Sequence, residues 1–131
     1  MVGIVLISHS NKLAEGAAEL VRQVADGAHV VPAGGTDDGR LGTSTELIAA
    51  AIAHADTGSG VLLIPDMGSS VLSARALLAD LDPQQGEGQQ IQLVDAPFVE
   101  GAVAAAVAAT AGLDLAAVAA AAEEARDVRK L

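Results

Sequence analysis

The sequence predicts a small α/β domain with an open parallel sheet of about four strands and helices on both faces. Short apolar runs, rich in valine, leucine and isoleucine, recur between turn residues, and longer segments with helical spacing separate them. Each run is continuously apolar, which is typical of a strand that is covered on both faces. Strand and helix alternate along the chain, and this order with right-handed crossovers indicates a doubly wound sheet.

The elements follow in order along the chain. The runs that predict strands are residues 2–7, 29–33, 60–65 and 90–94. The segments that predict helices are residues 12–25, 43–55, 70–81, 99–109 and 115–129. Residues able to cap helix starts are Asn11, Thr43 or Ser44, Ser69 or Ser70, and Asp114. Residues 82–89 contain proline and glycine and predict a solvated loop.

Length and composition restrict the class of protein. With 131 residues, we expect one domain spanning residues 1–131. Apolar residues make up 51% of the chain and Phe98 is the only aromatic one, so the core consists of small aliphatic side chains. The formal charge of -10 argues against nucleic acid and anionic membrane surfaces as partners. The absence of cysteine excludes disulfides and cysteine-ligated zinc and favours a cytoplasmic location.

Two apolar stretches need a separate interpretation. The first run, residues 2–7, is too short for a signal peptide or a membrane span and has no basic segment before it. The alanine-rich stretch 102–122 is interrupted by Thr110, Gly112 and Asp114 and therefore predicts two amphipathic helices. We expect no membrane insertion.

Polar residues follow the carboxyl end of every predicted strand. In a parallel sheet these ends open on one edge, where ligands bind. The following helices present unpaired backbone N–H groups there, which suit a phosphoryl group. The candidate phosphoryl-binding residues are Ser8, Ser10, Gly42, Thr43, Gly68 and Ser69. Gly34, Gly35 and Ser70 lie in the same loops.

His9 is the candidate nucleophile at this edge. One nitrogen of a neutral imidazole can attack only if an acceptor keeps the proton on the other nitrogen. Asp66 is the best-placed carboxylate for that purpose, and Asp95 is a weaker alternative. The competing interpretation is structural, with His9 bonded to nearby backbone and Asp66 serving only as a helix cap.

The other histidines and the sequence motifs give no further candidate site. His29 opens a strand at the opposite edge, and His54 lies near a helix end, so neither is a candidate for catalysis. No HExxH motif, cysteine cluster or carboxylate pair predicts a metal site. No phosphate-binding loop of the GxxxxGK[ST] or GxGxxG type is present, and we therefore expect the domain not to hold ATP itself.

Four segments carry a resemblance to a known family. They are VLISHS ending at Ser10, LGT at residues 41–43, DMGSS at residues 66–70 and APFVEG at residues 96–101. Their order and spacing resemble the phosphotransferase subunit of phosphoenolpyruvate-dependent dihydroxyacetone kinases. The first domain of that subunit belongs to the mannose-type enzyme IIA family of the sugar phosphotransferase system. The resemblance extends over essentially the whole chain.

The resemblance implies a phosphotransferase that works as a phosphoryl relay. His9 would accept phosphate from HPr and pass it to ADP in the kinase's nucleotide-binding subunit, and the ATP so formed would phosphorylate dihydroxyacetone. Asp66 would bond to His9, leaving Nε2 to react, and Gly68 and Ser69 would lie beside the phosphoryl group. The intermediate would be a phosphohistidine, and no separate cofactor would be needed. The family is homodimeric with an open parallel sheet, which agrees with the flavodoxin-like arrangement expected here.

Two alternatives remain at this point. The chain could be the mannose-type enzyme IIA of a sugar-transporting system, although the DMGSS form at residues 66–70 points to the dihydroxyacetone branch. It could also be a non-catalytic module that binds a small anion or regulates a partner. Some relatives continue into HPr-like and enzyme I-like domains, whereas this sequence ends at Leu131. We therefore expect a separate protein to donate the phosphoryl group.

Overall fold

A computed structural model describes residues 1–80 and 90–131 and contains the predicted parallel sheet. The strands are β1 (Gly3–Ser8), β2 (Val30–Gly34), β3 (Val61–Pro65) and β4 (Ile91–Leu93), in the order β2-β1-β3-β4. The helices are α1 (Asn11–Val24), α2 (Thr45–Ala55), α3 (Gly68–Asp80), α4 (Phe98–Thr110) and α5 (Leu115–Glu124), followed by a 3-10 turn, Ala125–Asp127. The loop predicted at residues 82–89 lies outside the described residues.

Some helix ends differ from the prediction. The cap of α1 is Ser10, whose Oγ accepts from the backbone N–H of Leu13, and Asn11 is already helical. Helix α3 begins at Gly68, before both predicted caps. The final helix ends at Glu124 instead of residue 129, because the chain tightens into the 3-10 turn. There the Arg126 guanidinium donates to the backbone carbonyl of Asp95.

Alternate residues of β1 divide the core into two layers. Ile4 and Leu6 are fully buried against α1, α4 and α5. Val5 and Ile7 are fully buried on the other face, against α2 and α3. Alanine lines the inner faces of the helices, which lets them approach the sheet closely. Both faces of the sheet are therefore covered, as the continuous apolar runs predict. None of the helices in the described ranges combines the length and apolar character needed to cross a bilayer.

The topology brings the ends of β1 and β3 together. The chain leaves β1 for β2 on one side and later returns to β3 on the other side, so a crevice opens between the β1 and β3 carboxyl ends. Ile7 pairs with Pro65, and the backbone N–H of Asp66 donates to the carbonyl of Ile7 at 2.9 Å. The residues that follow these two strands therefore face each other across the crevice.

Gly34 allows α1 to begin close to the end of β2. A Cβ atom at this position would lie 2.5 Å from the backbone oxygen of Ser10 and 2.8 Å from the Cα of Asn11. Because both contacts are with backbone, any side chain would push the start of α1 away. The missing side chain thus helps to fix the turn that carries His9.

Candidate active site

His9 is fixed through its own backbone. It directly follows β1, and its N–H donates to Asp66 Oδ2 at 3.1 Å. Its carbonyl accepts from the N–H of Gly42 at 2.9 Å. The residue is thereby tied to the loop after β2 on one side and to the end of β3 on the other.

The imidazole of His9 pairs with the carboxylate of Asp66. Nδ1 lies 3.0 Å from Asp66 Oδ1, and the two side chains are 23% and 8% exposed. An ionised carboxylate can only accept hydrogen bonds, so this contact places the proton on Nδ1. The lone pair of the neutral ring is then on Nε2.

Asp66 receives hydrogen bonds on both oxygens. Oδ2 accepts from Ser8 Oγ at 2.9 Å as well as from the His9 N–H. Oδ1 accepts from Ser70 Oγ at 2.6 Å and the Met67 N–H at 2.8 Å, besides the His9 ring. Burial raises the pKa of the Asp66 carboxyl, but the donors outweigh it and hold that pKa below the ordinary 3.8. Asp66 therefore remains a charged acceptor at neutral pH.

The reactive nitrogen faces the start of α3. Ser69 Oγ lies 2.5 Å from Nε2, and because Nε2 carries the lone pair, the hydroxyl donates to it. Gly68 and Ser69 are the first two residues of α3, where backbone N–H groups have no carbonyl partner within the helix. Such N–H groups, aligned with the helix dipole, favour an anion beside Nε2.

The predicted phosphoryl-binding residues have different roles in the structure. Ser69 lies beside Nε2, Gly68 begins the helix that carries it, and Gly42 holds the His9 backbone. The buried Ser8 hydroxyl donates to Asp66 and accepts from the Ser10 N–H at 3.0 Å. Ser10 Oγ caps α1. The hydroxyl of Thr43 pairs at 2.5 Å with that of Ser73 on α3. Of these three hydroxyls, that of Ser8 bonds to the His9–Asp66 pair, here called the dyad, whereas those of Ser10 and Thr43 bond to the Leu13 backbone and to Ser73.

Sequence reasoning missed the position of Ser70. Its side chain is fully buried, with Oγ near both Asp66 Oδ1 and, at 3.1 Å, His9 Nδ1. The sequence signal for this contact is spacing: Asp66 lies two residues before α3, so a residue in the first turn of α3, such as Ser70, can lie over it.

Other candidate residues lie away from the dyad. The carboxylate of Asp95 is 96% exposed and 3.6 Å from Arg126. His29 and His54 form a separate pair, with ring centroids 5.6 Å apart and His29 Nε2 at 2.9 Å from the His54 carbonyl. Within residues 1–80 and 90–131, histidine and acidic side chains nowhere form a group of three that could hold a metal ion.

The electrostatics of the site depend on dipoles more than on fixed cations. In the described part of the chain, no lysine or arginine forms a hydrogen bond or an ion pair with the side chain of His9 or Asp66. Arg40, on the loop after β2, pairs with Asp38 at 2.7 Å. Arg75 lines a cavity of about 360 Å³ between α3 and the ends of β3 and β4, which also borders Asp66 and Gly68. An anion at Nε2 would therefore be held mainly by amides and hydroxyls, which bind it less tightly than a cluster of cations.

Comparison with known proteins relates this site to a described family. A family model described as "PTS system fructose IIA component" matches residues 3–119. The phosphoryl donor subunit of PEP-dependent dihydroxyacetone kinase 2 from Listeria innocua is 44% identical over 108 residues, covering 82% of this chain and 85% of that protein. The phosphotransferase subunit DhaM of the PTS-dependent dihydroxyacetone kinase from Lactococcus lactis is 30% identical over 110 residues, covering 84% of this chain and 84% of that protein.

A longer relative and a solved structure are also similar. The Escherichia coli phosphoryl donor subunit is 39% identical over 119 residues, and the chain spans only 25% of its length. The crystal structure of EF1359, a protein of unknown function, superposes with a TM-score of 0.81 at 36% identity and covers 94% of this chain. The similarity thus extends over sequence and fold together.

Proposed function

The chain belongs to the EIIA-man family, and we propose on that basis that it is a phosphoryl donor subunit, of the DhaM type, of a PEP-dependent dihydroxyacetone kinase. The observation that carries the proposal is the Asp66–His9 pair, which leaves Nε2 as a nucleophile beside the start of α3. Relatives named for this activity are 30% and 44% identical to the chain over most of their own length.

The chemistry follows from the placement of the protons. As phosphorus approaches, the Ser69 hydroxyl leaves Nε2 and turns to a phosphoryl oxygen. The Nε2 lone pair forms the N–P bond, and the bond between phosphorus and its donor atom breaks and returns its electron pair to the donor. The ring then carries phosphate on Nε2 and hydrogen on Nδ1 and is positively charged. The Asp66 carboxylate stabilises that charge. Transfer to the acceptor repeats these steps in reverse.

For the partners, we propose phospho-HPr as donor and ADP held in the kinase's nucleotide-binding subunit as acceptor. The lack of a phosphate-binding loop supports an acceptor nucleotide on another protein. The absence of cysteine supports a cytoplasmic location. We also propose that residues 1–131 act as one phosphotransferase domain.

A homodimer is part of the proposal. An apolar groove of about 710 Å³ runs along α4 and α5. Val107, Leu113 and Val128 at this groove are 50%, 47% and 71% exposed. Contiguous exposed apolar surface of this kind favours association. Sedimentation equilibrium would show a species of twice the chain mass, and a monomer at all concentrations would contradict this part of the proposal.

The relay is tested by locating the phosphate. Incubation with phosphoenolpyruvate, enzyme I and HPr should give acid-labile, base-stable phosphate that mass spectrometry assigns to His9. His9→Ala should lose it, whereas His54→Ala, at an exposed histidine far from Asp66, should keep it. Adding the nucleotide-binding subunit with ADP should then yield ATP. Undiminished phosphate on His9→Ala would refute the proposal.

A further inference from the structure

We infer that the Ser70 hydroxyl is a positioning group of this site, which holds the His9 ring and the Asp66 carboxylate in the reactive arrangement without touching the phosphoryl group. The inference rests on the proposed function only where it concerns the transfer rate. Its structural basis is the contact of one buried oxygen with both members of the dyad.

The directions of these hydrogen bonds are fixed by the charge on Asp66. Ser70 has one proton, and the 2.6 Å contact places it toward Oδ1 of the ionised carboxylate. The lone pairs of Ser70 Oγ then face the Nδ1–H of His9 at 3.1 Å. That N–H is consequently shared between two acceptors, Asp66 Oδ1 and Ser70 Oγ.

This sharing restricts the ring of His9. If the ring flipped, a carbon atom would replace Nδ1 opposite both oxygens and both contacts would be lost. If the proton moved to Nε2, Nδ1 would present its lone pair to the charged Oδ1 and to the Ser70 oxygen, whose own proton is directed at Oδ1. Ser70 therefore disfavours both the flipped ring and the unreactive tautomer, and it does so from a position that solvent does not reach.

The three serines of α3 have separate side-chain partners. Ser69 Oγ faces Nε2, Ser70 Oγ faces Nδ1 and Asp66, and Ser73 Oγ pairs with Thr43. Ser73→Ala removes a hydroxyl from the same helix without removing a contact to the dyad. It is therefore a matched control for Ser70→Ala.

The first measurement needs no partner protein. Nitrogen NMR of the histidine ring at about pH 8, where an ordinary imidazole is neutral, reports the ratio of the two tautomers. We expect the Nδ1–H form to predominate in the wild type and in Ser73→Ala. Ser70→Ala should lower the ratio of Nδ1–H to Nε2–H about 5-fold to 10-fold, the change expected for the loss of one buried hydrogen bond. An unchanged ratio in folded Ser70→Ala would overturn the inference.

The second measurement is the phosphorylation rate by phospho-HPr in a double-mutant cycle with Asp66→Ala, which removes the oxygen that accepts the Ser70 proton. Ser70→Ala should slow transfer about 5-fold to 10-fold in the wild type and less than about 2-fold when Asp66 is already replaced. Equal effects in both backgrounds would show that Ser70 does not act through Asp66 and would also overturn the inference. If no variant or wild-type chain accepts phosphate, the proposed function fails, and the tautomer ratio still decides the role of Ser70.

Discussion

Replacing Asp66 by asparagine tests the pairing of this residue with His9, because the substitution preserves the shape of the side chain and removes only its charge and one hydrogen-bond acceptor. The carboxylate receives two hydrogen bonds on Oδ2 and three on Oδ1. An amide satisfies most of them by keeping its oxygen on the Oδ1 side and placing its NH2 on the other. Ser8 can rotate to accept from that NH2. The N–H of His9 cannot, and it loses its partner.

The magnitude follows from these contacts. An unpaired, largely buried N–H costs about 1–3 kcal/mol, and bonds to a neutral acceptor are weaker than charge-assisted ones by about 1 kcal/mol. We expect Asp66→Asn to lower the free energy of unfolding by about 2–4 kcal/mol, which leaves a domain of ordinary stability folded. The weaker hold on Nδ1–H should slow phosphoryl acceptance at least about tenfold, since 1.4 kcal/mol is a factor of ten.

The assay combines urea unfolding, followed by circular dichroism, with the initial rate of phosphohistidine formation. Asp95→Asn is the matched control, because it makes the same chemical change at the same edge of the sheet on an exposed carboxylate. We expect it to change the rate less than about 2-fold and the stability by less than about 0.5 kcal/mol. If Asp66→Asn also stayed within those limits, the hydrogen bonds of Asp66 would contribute no more to rate and stability than an exposed carboxylate does, and the reasoning would be refuted.

The remaining predictions concern pH, backbone space and capping. Because the pKa of Asp66 lies below its ordinary 3.8, the stability difference between wild type and Asp66→Asn should be constant above about pH 5. It should then shrink as the pH falls through the lowered pKa. Urea unfolding of both proteins between pH 7 and about pH 2 measures this difference, and a difference that grew toward low pH would contradict the prediction. Gly34→Ala should destabilise the fold by about 2 kcal/mol or more, since its Cβ would meet Ser10 and Asn11 backbone, whereas Gly16→Ala in open space on α1 should stabilise it by about 0.5–1 kcal/mol. Equal melting temperatures for these two variants would contradict the packing described here. Asp114→Ala should cost about 1 kcal/mol, because it removes the side-chain bond to the Ala117 N–H that caps α5, and thermal unfolding measures this loss.

The sheet and the dyad could be predicted because their signals are local or topological. Continuous apolar runs reflect burial on both faces, and the edge rule for parallel sheets then brings His9 and Asp66 to one crevice. The neighbouring positions of β1 and β3 confirm that step. The boundary between Ser10 and Asn11 was less predictable, because both residue types cap helices and the choice depends on where β1 ends.

The hydroxyl groups around the dyad could not be assigned from the sequence. A serine in a turn can cap a helix, bond to a carboxylate or face solvent, and rotation about one bond separates these outcomes. Ser8 and Ser70 turned inward to Asp66, whereas Ser69 faces Nε2. The residue type is the same at all three positions and does not fix this rotation, so only the packed structure distinguishes their roles.

The double attachment of the His9 backbone has a kinetic consequence for the proposed relay. A nucleophile held at both its N–H and its carbonyl does not travel between partners, so each partner must come to it. Donor and acceptor then compete for one opening and occupy it in turn. A surplus of unphosphorylated donor protein would act as a competitive inhibitor of transfer from His9 to the acceptor. Flux through the relay would be highest when both partner proteins dissociate quickly.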